Sequence, residues 1–498
     1  MHRRLCTTTG LLAGLFAIAA CGPDSTTVSP DKGSAAPEQL GGIALELDEA
    51  RMFAAIEHLA ADALHGRYSL AVADLGAAAD YITAEYNKVG LKPVGESFRT
   101  PFTIESGWEP GPDVQVWVEI GEEVIEFSAD KIGSLANGNG DVVFGDATFV
   151  GAKTPKSVNG AIAIAHVAGD TGVTGLRARA NELEKAGARA IVLIAPSLAT
   201  TDDRIDAAVP VVVMAESDAV RWMPKGRKAV GKKIPGLKIS LAAKQLPVQH
   251  PSFNLLAWIP GTDKPDEIVI LGAHFDHIGT NEFGHACSRV DDDTTCNGAD
   301  DNASGSAMVL EIARTLAESG YQPRRTLVFA HFAGEELGLL GSKALADEPP
   351  DAAPFTTGKV VAMINLDMVG RYREDAGLQV GAVSSSDQWR ELVEAAGPQG
   401  LRLVFERSVT ARSDHANFYS KKIPVLFFFT GLHDDYHRVG DHAEKINREG
   451  MAAIARIVGH LTTAVGNGAR LDWSEPRSAD EGAVSRLPAS DAKTIEQP

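Results

Sequence analysis

Ile268-Val269-Ile270-Leu271-Gly272-Ala273-His274-Phe275-Asp276 decides how this chain is read. Its near-continuous apolar run is a strand covered on both faces, and the strand runs straight into a histidine and an aspartate. The same rhythm repeats downstream. Ser306 to Leu316 carries Val309, Ile312, Ala313 and Leu316 on one helical face, and Thr326 to Phe329 is a strand. The strand Val360 to Leu366, the helix Gln388 to Ala396, the strand Val425 to Phe429 and a long helix Ala443 to Val465 follow. Alternation of buried strands with helices predicts an α/β fold, a mostly parallel sheet sandwiched by helices.

Upstream the texture changes twice. Residues 43–100 read as a helical lead-in: Ile56, Leu59, Ala60 and Ala63 keep helical spacing, and Ala78 to Val89 does likewise until Gly90. Residues 101–248 hold shorter apolar runs with turns, among them Val114 to Val118, Ala161 to Ala165, Ala190 to Ile194 and Val209 to Met214, with a helix from Leu176 to Ala186. They form a small separate α/β module with no catalytic constellation, inserted ahead of a main domain at 249–470. Residues 471–498 are polar and read as a mobile tail.

The N-terminus has the pattern of an export signal over residues 1–20: Arg3 and Arg4, an apolar stretch from Leu11 to Ile18, then Ala19-Ala20. Ile18-Ala19-Ala20-Cys21 resembles a bacterial lipobox, so Cys21 is the candidate for lipidation and residues 21–42, rich in Ser, Thr, Pro and Gly, for a flexible tether to a membrane surface. A plain secretory signal is the alternative. Of four cysteines, Cys6 leaves with the signal, and Cys287 and Cys296 remain as a candidate disulfide in one exported loop.

Composition excludes several classes. With 498 residues, 44% hydrophobic and 23% charged, the chain is neither disordered nor a multi-span membrane protein. Forty-seven basic against 66 acidic side chains give −19, which lacks the basic surface a nucleic-acid binder needs.

In an open α/β sheet, ligands bind beyond the carboxyl ends of the strands. Five such places carry polar groups: His274-Phe275-Asp276, Gly298-Ala299-Asp300-Asp301-Asn302-Ala303-Ser304-Gly305, Ala333-Gly334-Glu335-Glu336-Leu337-Gly338, Asp367, and Asp435-Tyr436-His437. Singly each has a bland reading, since paired glutamates at a helix start are commonly solvated and an aspartate after a strand is often a cap. Together, two imidazoles and at least three carboxylates on one sheet edge are a nitrogen and oxygen set suited to zinc.

These phrases, in this order, resemble the co-catalytic di-zinc exopeptidases, the group of aminopeptidase Y, secreted bacterial aminopeptidases and glutamate carboxypeptidase; the order of the module at 101–248 resembles a protease-associated domain. The resemblance implies two Zn2+ per chain. It makes Asp301 the carboxylate shared by both, His274 and Asp367 the remainder of one site, Glu336 and His437 of the other, and Glu335 the unligated general base. Asp276 is expected behind His274, accepting its second ring N–H. The implied activity is removal of N-terminal residues from peptides. A single-zinc glutaminyl cyclase and a non-catalytic binding or receptor-type relative of the same fold remain alternatives, and a carboxypeptidase would need arginines aimed at a terminal carboxylate. Asp300 is expected to cap a helix, His331 to be core, and Ser413-Asp414-His415 to be scaffold or pocket wall. Tyr436 is a candidate for helping an oxyanion or for packing. Asp291-Asp292-Asp293 in the long loop after His277 is a solvated run or a calcium ligand set.

Overall fold

In the computed structural model the described residues are 26–28 and 43–475, less short stretches at 111–114, 129–130, 137–141, 151–153, 168–171, 197–206, 221, 223–231, 244, 283–286, 288–289, 291, 398, 407–408 and 410. The signal segment, Cys21, Asp291 and residues 476–498 lie outside them, as does the tether except for Thr26–Val28, a strand paired antiparallel with Leu403–Phe405. The chain divides into one unit of residues 1–102 with 252–498 and another of residues 103–251.

The first unit opens with helices α1 (Glu49–Leu59) and α2 (Val72–Lys88). Asp48 caps α1 by accepting the Arg51 N–H at 3.0 Å, satisfying one of the orphan donors of the first turn. Seven of this unit's strands frame the site: β1 (Gln245–Ile259), β2 (Lys264–His274), β3 (Arg325–Phe332), β4 (Lys359–Leu366), β5 (Leu378–Gly381), β6 (Leu403–Phe405) and β7 (Val425–Phe429). Between and after them run helices α3 (Gly305–Glu318), α4 (Leu340–Asp347), α5 (Trp389–Ala396), α6 (His415–Ser420) and α7 (Arg448–Asn467).

These seven run in the order β6-β5-β7-β4-β2-β3-β1 within a ten-stranded sheet. Strands β3, β2, β4 and β7 are parallel at the centre, whereas β1 is antiparallel to β3 and β5 to β7. The sheet is thus mixed, and the expected parallel order holds only where helical crossovers join the strands. Successive residues along β2 go to opposite faces: Val269 and Leu271 join a core with α1, α2, α3 and α7, while Ile268 and Ile270 join one with α4 and α6. Both faces are covered, which is why the sequence run is continuously apolar.

One other expectation needs correction. The helix predicted from Ala443 breaks: Ala443–Lys445 is a single 3-10 turn and α7 starts afresh at Arg448, capped by Asn447, whose side chain accepts the Gly450 N–H at 2.9 Å. An Asn at that point offers the backbone a cap in place of helix continuation. Strands β5 and β6, of four and three residues, carry too little pattern to be read from sequence.

The second unit is an eight-stranded sheet. Its strands Val143–Val150, Ile162–His166, Ala190–Ala195 and Val211–Ala215 are parallel in that order. Alternate residues feed two cores: Ala163, Ile191 and Val213 pack with Leu176, Ala180 and Leu183 of the helix Gly172–Lys185, and Ile164, Val192 and Val212 with Val116, Ile239 and Leu241. Cys287 and Cys296 are joined in a disulfide, with Cα atoms 5.8 Å apart.

Candidate metal centre

Strand β2 has β3 on one side and β4 on the other, so successive crossovers diverge there and leave a crevice at the carboxyl ends. His274 is the last residue of β2, Asp367 follows β4, Glu335 and Glu336 lie in the turn after β3, Asp301 lies in the wide turn ahead of α3, and His437 lies after β7. The five side chains expected to act together are brought to one place. His274 Nε2 is 3.3 Å from Asp301 Oδ1 and 3.3 Å from Asp367 Oδ1. His437 Nε2 is 3.2 Å from Asp301 Oδ2 and 3.0 Å from Glu336 Oε2. Each oxygen of Asp301 therefore faces a different imidazole. Glu335 stands beside them, its Oε2 4.0 Å from His274 Nε2. The ring of His437 is 30% exposed and that of His274 1%, so the cluster opens to solvent on the His437 side.

Asp276 differs from expectation in which atom it offers. Its main-chain carbonyl lies 3.2 Å from His274 Nδ1, nearer than its carboxylate oxygen at 3.6 Å. The carboxylate instead accepts the Ser69 hydroxyl at 2.8 Å and the Glu335 N–H at 3.3 Å, while Ser69 Oγ accepts the Gly334 N–H at 2.7 Å. It orients the turn that bears Glu335.

Asp300 does not cap α3. The segment Ala299–Ser304 is a wide turn and α3 begins only at Gly305. Asp300 Oδ1 accepts the Gly370 N–H at 2.6 Å and Oδ2 is 3.3 Å from His433 Nε2. Burial, opposed by His433 and reinforced by Asp441, pushes its carboxyl up to about 6. Gly305 has no room for a side chain: a Cβ there would lie 2.4 Å from Asn302 Oδ1 and 2.7 Å from the Leu366 carbonyl. That close approach pins the turn carrying Asp301 against the end of β4.

Three contributors went unread in the sequence. Arg67 is wholly buried, and its guanidinium donates to the carbonyls of Phe275 (2.8 Å), Asn297 (2.7 Å), Gly298 (2.9 Å) and Leu59, tying the segments that carry His274 and Asp301. Asp441 Oδ2 accepts the N–H groups of Asp300 (2.9 Å) and Asp301 (3.0 Å), and its other oxygen binds Arg371 at 3.0 Å. His277 Nδ1 lies 2.8 Å from Glu336 Oε1. It follows directly on His274-Phe275-Asp276, and that adjacency was the available signal; Arg67 and Asp441 gave none.

The remaining residues fall into supporting places. His331 is buried between the Tyr86 hydroxyl (2.6 Å) and Ser306 Oγ (3.2 Å). The Ser413 hydroxyl accepts from Asn365 at 2.8 Å and the His415 ring stacks on Phe427 at 4.5 Å. Asp414 is buried, and burial with the charges of Asp276 and Asp367 pushes it up to about 7 against the pull of His274 and Ser342. Tyr436 stacks on His437 at 3.8 Å, and burial holds its hydroxyl well above the ordinary value.

The electrostatics are those of a cluster wanting cations. Burial resists charging Asp301, yet the hydrogen bond from His274 and the charge of His277 and the contact with His437 hold it well below the usual carboxylate range. Burial pushes Glu335 well above that range, opposed by His274 and reinforced by Asp367 and Glu336. Burial resists protonation of His437, but Asp301 and Glu336 raise it to about 10. Its Nε2 nonetheless makes no hydrogen bond of good geometry, although it is buried and aimed into the cluster. Ligand atoms on a tetrahedral zinc at about 2.0–2.1 Å sit about 3.3 Å from one another. The four spacings of 3.0–3.3 Å made by His274 and His437 match that better than they match hydrogen bonds between charged partners. Two sets of three ligand-type side chains stand within 4.8 Å among the described residues, His274 with Glu335 and Asp367, and His277 with Asp301 and Glu336. The spacings above favour Asp301 over Glu335 as partner of His274 and Asp367, because Glu335 is the more distant. The donor set fits zinc.

Residues 254–462 match the sequence profile of peptidase family M28. That stretch is similar to peptidase family M28. The matched stretch holds β2 to β7 and all five converging side chains. The leupeptin-inactivating enzyme 1 of Streptomyces exfoliatus is 31% identical over 193 residues, 39% of each chain. A probable leucine aminopeptidase of Arthroderma benhamiae is 29% identical over 260 residues, 48% of this chain and 64% of that one. Among solved structures, an aminopeptidase from Aneurinibacillus sp. strain AM-1 aligns over 87% of this chain and 97% of its own, with 24% identity and a TM-score of 0.46. The chain spans between a quarter and two-thirds of the length of the curated relatives it matches first.

Proposed function

We propose that this protein is a zinc aminopeptidase that uses two ions to hydrolyse the N-terminal bond of peptides. The carrying observation is Asp301, whose two oxygens face two separate imidazoles at 3.3 and 3.2 Å with an unengaged glutamate alongside. His274, Asp367 and Asp301 Oδ1 would hold one ion, and His437, Glu336 and Asp301 Oδ2 the other. Zinc at these sites supplies Lewis acidity, lowering the pKa of a water and polarising the scissile carbonyl. Glu335 takes the proton of the attacking water and passes it to the departing amine. Asp276 and Ser69 keep its turn in place for both transfers.

The amino rather than carboxyl direction is supported by charge. Arg67 is committed to four carbonyls and Arg371 to Asp435 and Asp441, whereas Asp414 is a buried acid beside the site that suits an α-ammonium. The relative named a probable leucine aminopeptidase points the same way. The two-sided placement of Asp301 speaks against a single-zinc cyclase. The reading extends to export and lipid anchoring through Cys21 and to a protease-associated role for residues 103–251, supported by the lipobox-like segment and by the order of strands and helix in that unit.

Zinc analysis of the full chain, with aminoacyl and carboxyl-terminal chromogenic substrates assayed with and without chelator, tests the proposal. Two zinc per chain and chelator-sensitive aminoacyl release are expected, and Glu335→Gln should keep the metal while turnover falls roughly 100- to 10,000-fold. Full activity in that variant would remove Glu335 from the proton-transfer role.

A further inference from the structure

The mechanism leaves one imidazole unused. His277 is wholly buried, and its Nδ1 lies 2.8 Å from Glu336 Oε1 and 3.7 Å from Asp301 Oδ2. Its Nε2 has no hydrogen-bond partner. The ring is wedged where Gly298 crosses it: a Cβ on Gly298, at φ +59°, would lie 2.6 Å from two ring carbons of His277. Its own N–H is held by the Arg67 carbonyl at 3.2 Å. The ring is therefore fixed on its Glu336 side by packing and by backbone.

We propose that His277 is a positioning residue of the metal centre, donating Nδ1–H to Glu336 Oε1 so that only Oε2 is presented to the ion shared with His437 and Asp301. The inference rests on the two-ion reading above. Distance separates donation from direct ligation: 2.8 Å is hydrogen-bond length, shorter than the roughly 3.3 Å between two ligand atoms on one tetrahedral zinc and shorter than every other nitrogen-to-oxygen spacing in the cluster. A carboxylate that faces His437 with its other oxygen has no proton to give, so the ring nitrogen donates. The Nδ1–H tautomer then leaves Nε2 as a bare acceptor, a milder orphan than a buried N–H. A glutamate free to turn could chelate with both oxygens or swing toward Glu335; held at Oε1, it does neither.

The test is zinc binding by the metal-stripped full chain, in competition with a chromophoric chelator, for wild type, His277→Ala and His277→Asn, together with X-ray absorption of the zinc-loaded wild type. His277→Ala should still take up two ions, one of them 10- to 100-fold more weakly. His277→Asn, whose amide nitrogen stands where Nδ1 stood, should recover most of that loss, which a mere packing role would not predict. The wild-type spectrum should count two imidazoles per two ions. Wild-type affinity in His277→Ala, or no recovery in His277→Asn, overturns the inference while leaving the two-ion reading intact. Three imidazoles per two ions in the wild type overturns it in favour of direct ligation, and this readout needs no variant to fold. A wild type that takes up no zinc removes both readings.

Discussion

Arg67→Met keeps most of the side-chain stem and deletes the guanidinium that joins Leu59, Phe275, Asn297 and Gly298. Burial lowers the pKa of this arginine to about 10, partly offset by Asp301, Asp276, Asp441 and Glu336, so the group is charged at neutral pH and sits beneath the carboxylates. Hydrogen bonds to a charged group contribute about 1.5–3 kcal/mol each, and a buried carbonyl left bare costs about 1–3 kcal/mol. Some of the four carbonyls will find water in the space vacated, so a loss of roughly 3–5 kcal/mol is expected, in line with removing one partner of a buried charged network. Two effects on zinc compete: losing a cation favours a second cation, whereas loosening the segments bearing His274 and Asp301 disfavours it. Positioning should win, because this one guanidinium bonds both segments, Phe275 on one side and Asn297 and Gly298 on the other. The assay is urea unfolding of the metal-stripped chain alongside zinc titration. Arg67→Lys, with a charge but fewer donors in a different geometry, should fall between. A Met variant within 1 kcal/mol of wild type and unchanged in zinc affinity would refute the staple role.

Asp301→Ala should leave neither ion bound at stoichiometric zinc by mass spectrometry of the native protein, whereas Asp367→Ala should spare the site of His437 and Glu336; equal losses in the two variants would argue against Asp301 as the shared carboxylate. His331 supplies a pH prediction away from the metal. Burial holds its imidazole down to about 3 from 6.5, so the unfolded chain binds the extra proton between those values and stability must rise with pH across that window. At pH 4.5 the linkage amounts to roughly 2–3 kcal/mol, so His331→Gln should flatten the acid limb of stability measured by urea midpoints from pH 6.5 to 4.5. An unchanged slope would place the acid sensitivity elsewhere.

How far the chain could be read depended on the range of the interaction. Periodicity placed β2, β3, β4, β7 and α3 because burial on both faces writes continuous apolar runs, and the residues closing those strands were His274, Glu335, Glu336 and Asp367. His437 and Asp301 were found by the phrases around them. The short strands β5 and β6 and the interruption ahead of α7 escaped, since three or four residues carry no period and a cap competes with helix at a single Asn.

The sequence by itself determined the α/β class, the sheet edge on which the acids and imidazoles gather, and the residue types that suit zinc, all consequences of local pattern and strand ends. The tertiary structure alone decided that Asp301 faces two rings, that Asp276 offers His274 its carbonyl and Glu335 its carboxylate, and that Asp300 braces Gly370 instead of capping a helix. It also alone decided that Arg67, Asp441 and His277 belong to the site. Those facts are side-chain directions and contacts between segments as many as 231 residues apart or as few as two, and no one-dimensional pattern encodes them, because they exist only once burial has fixed which polar groups must satisfy one another.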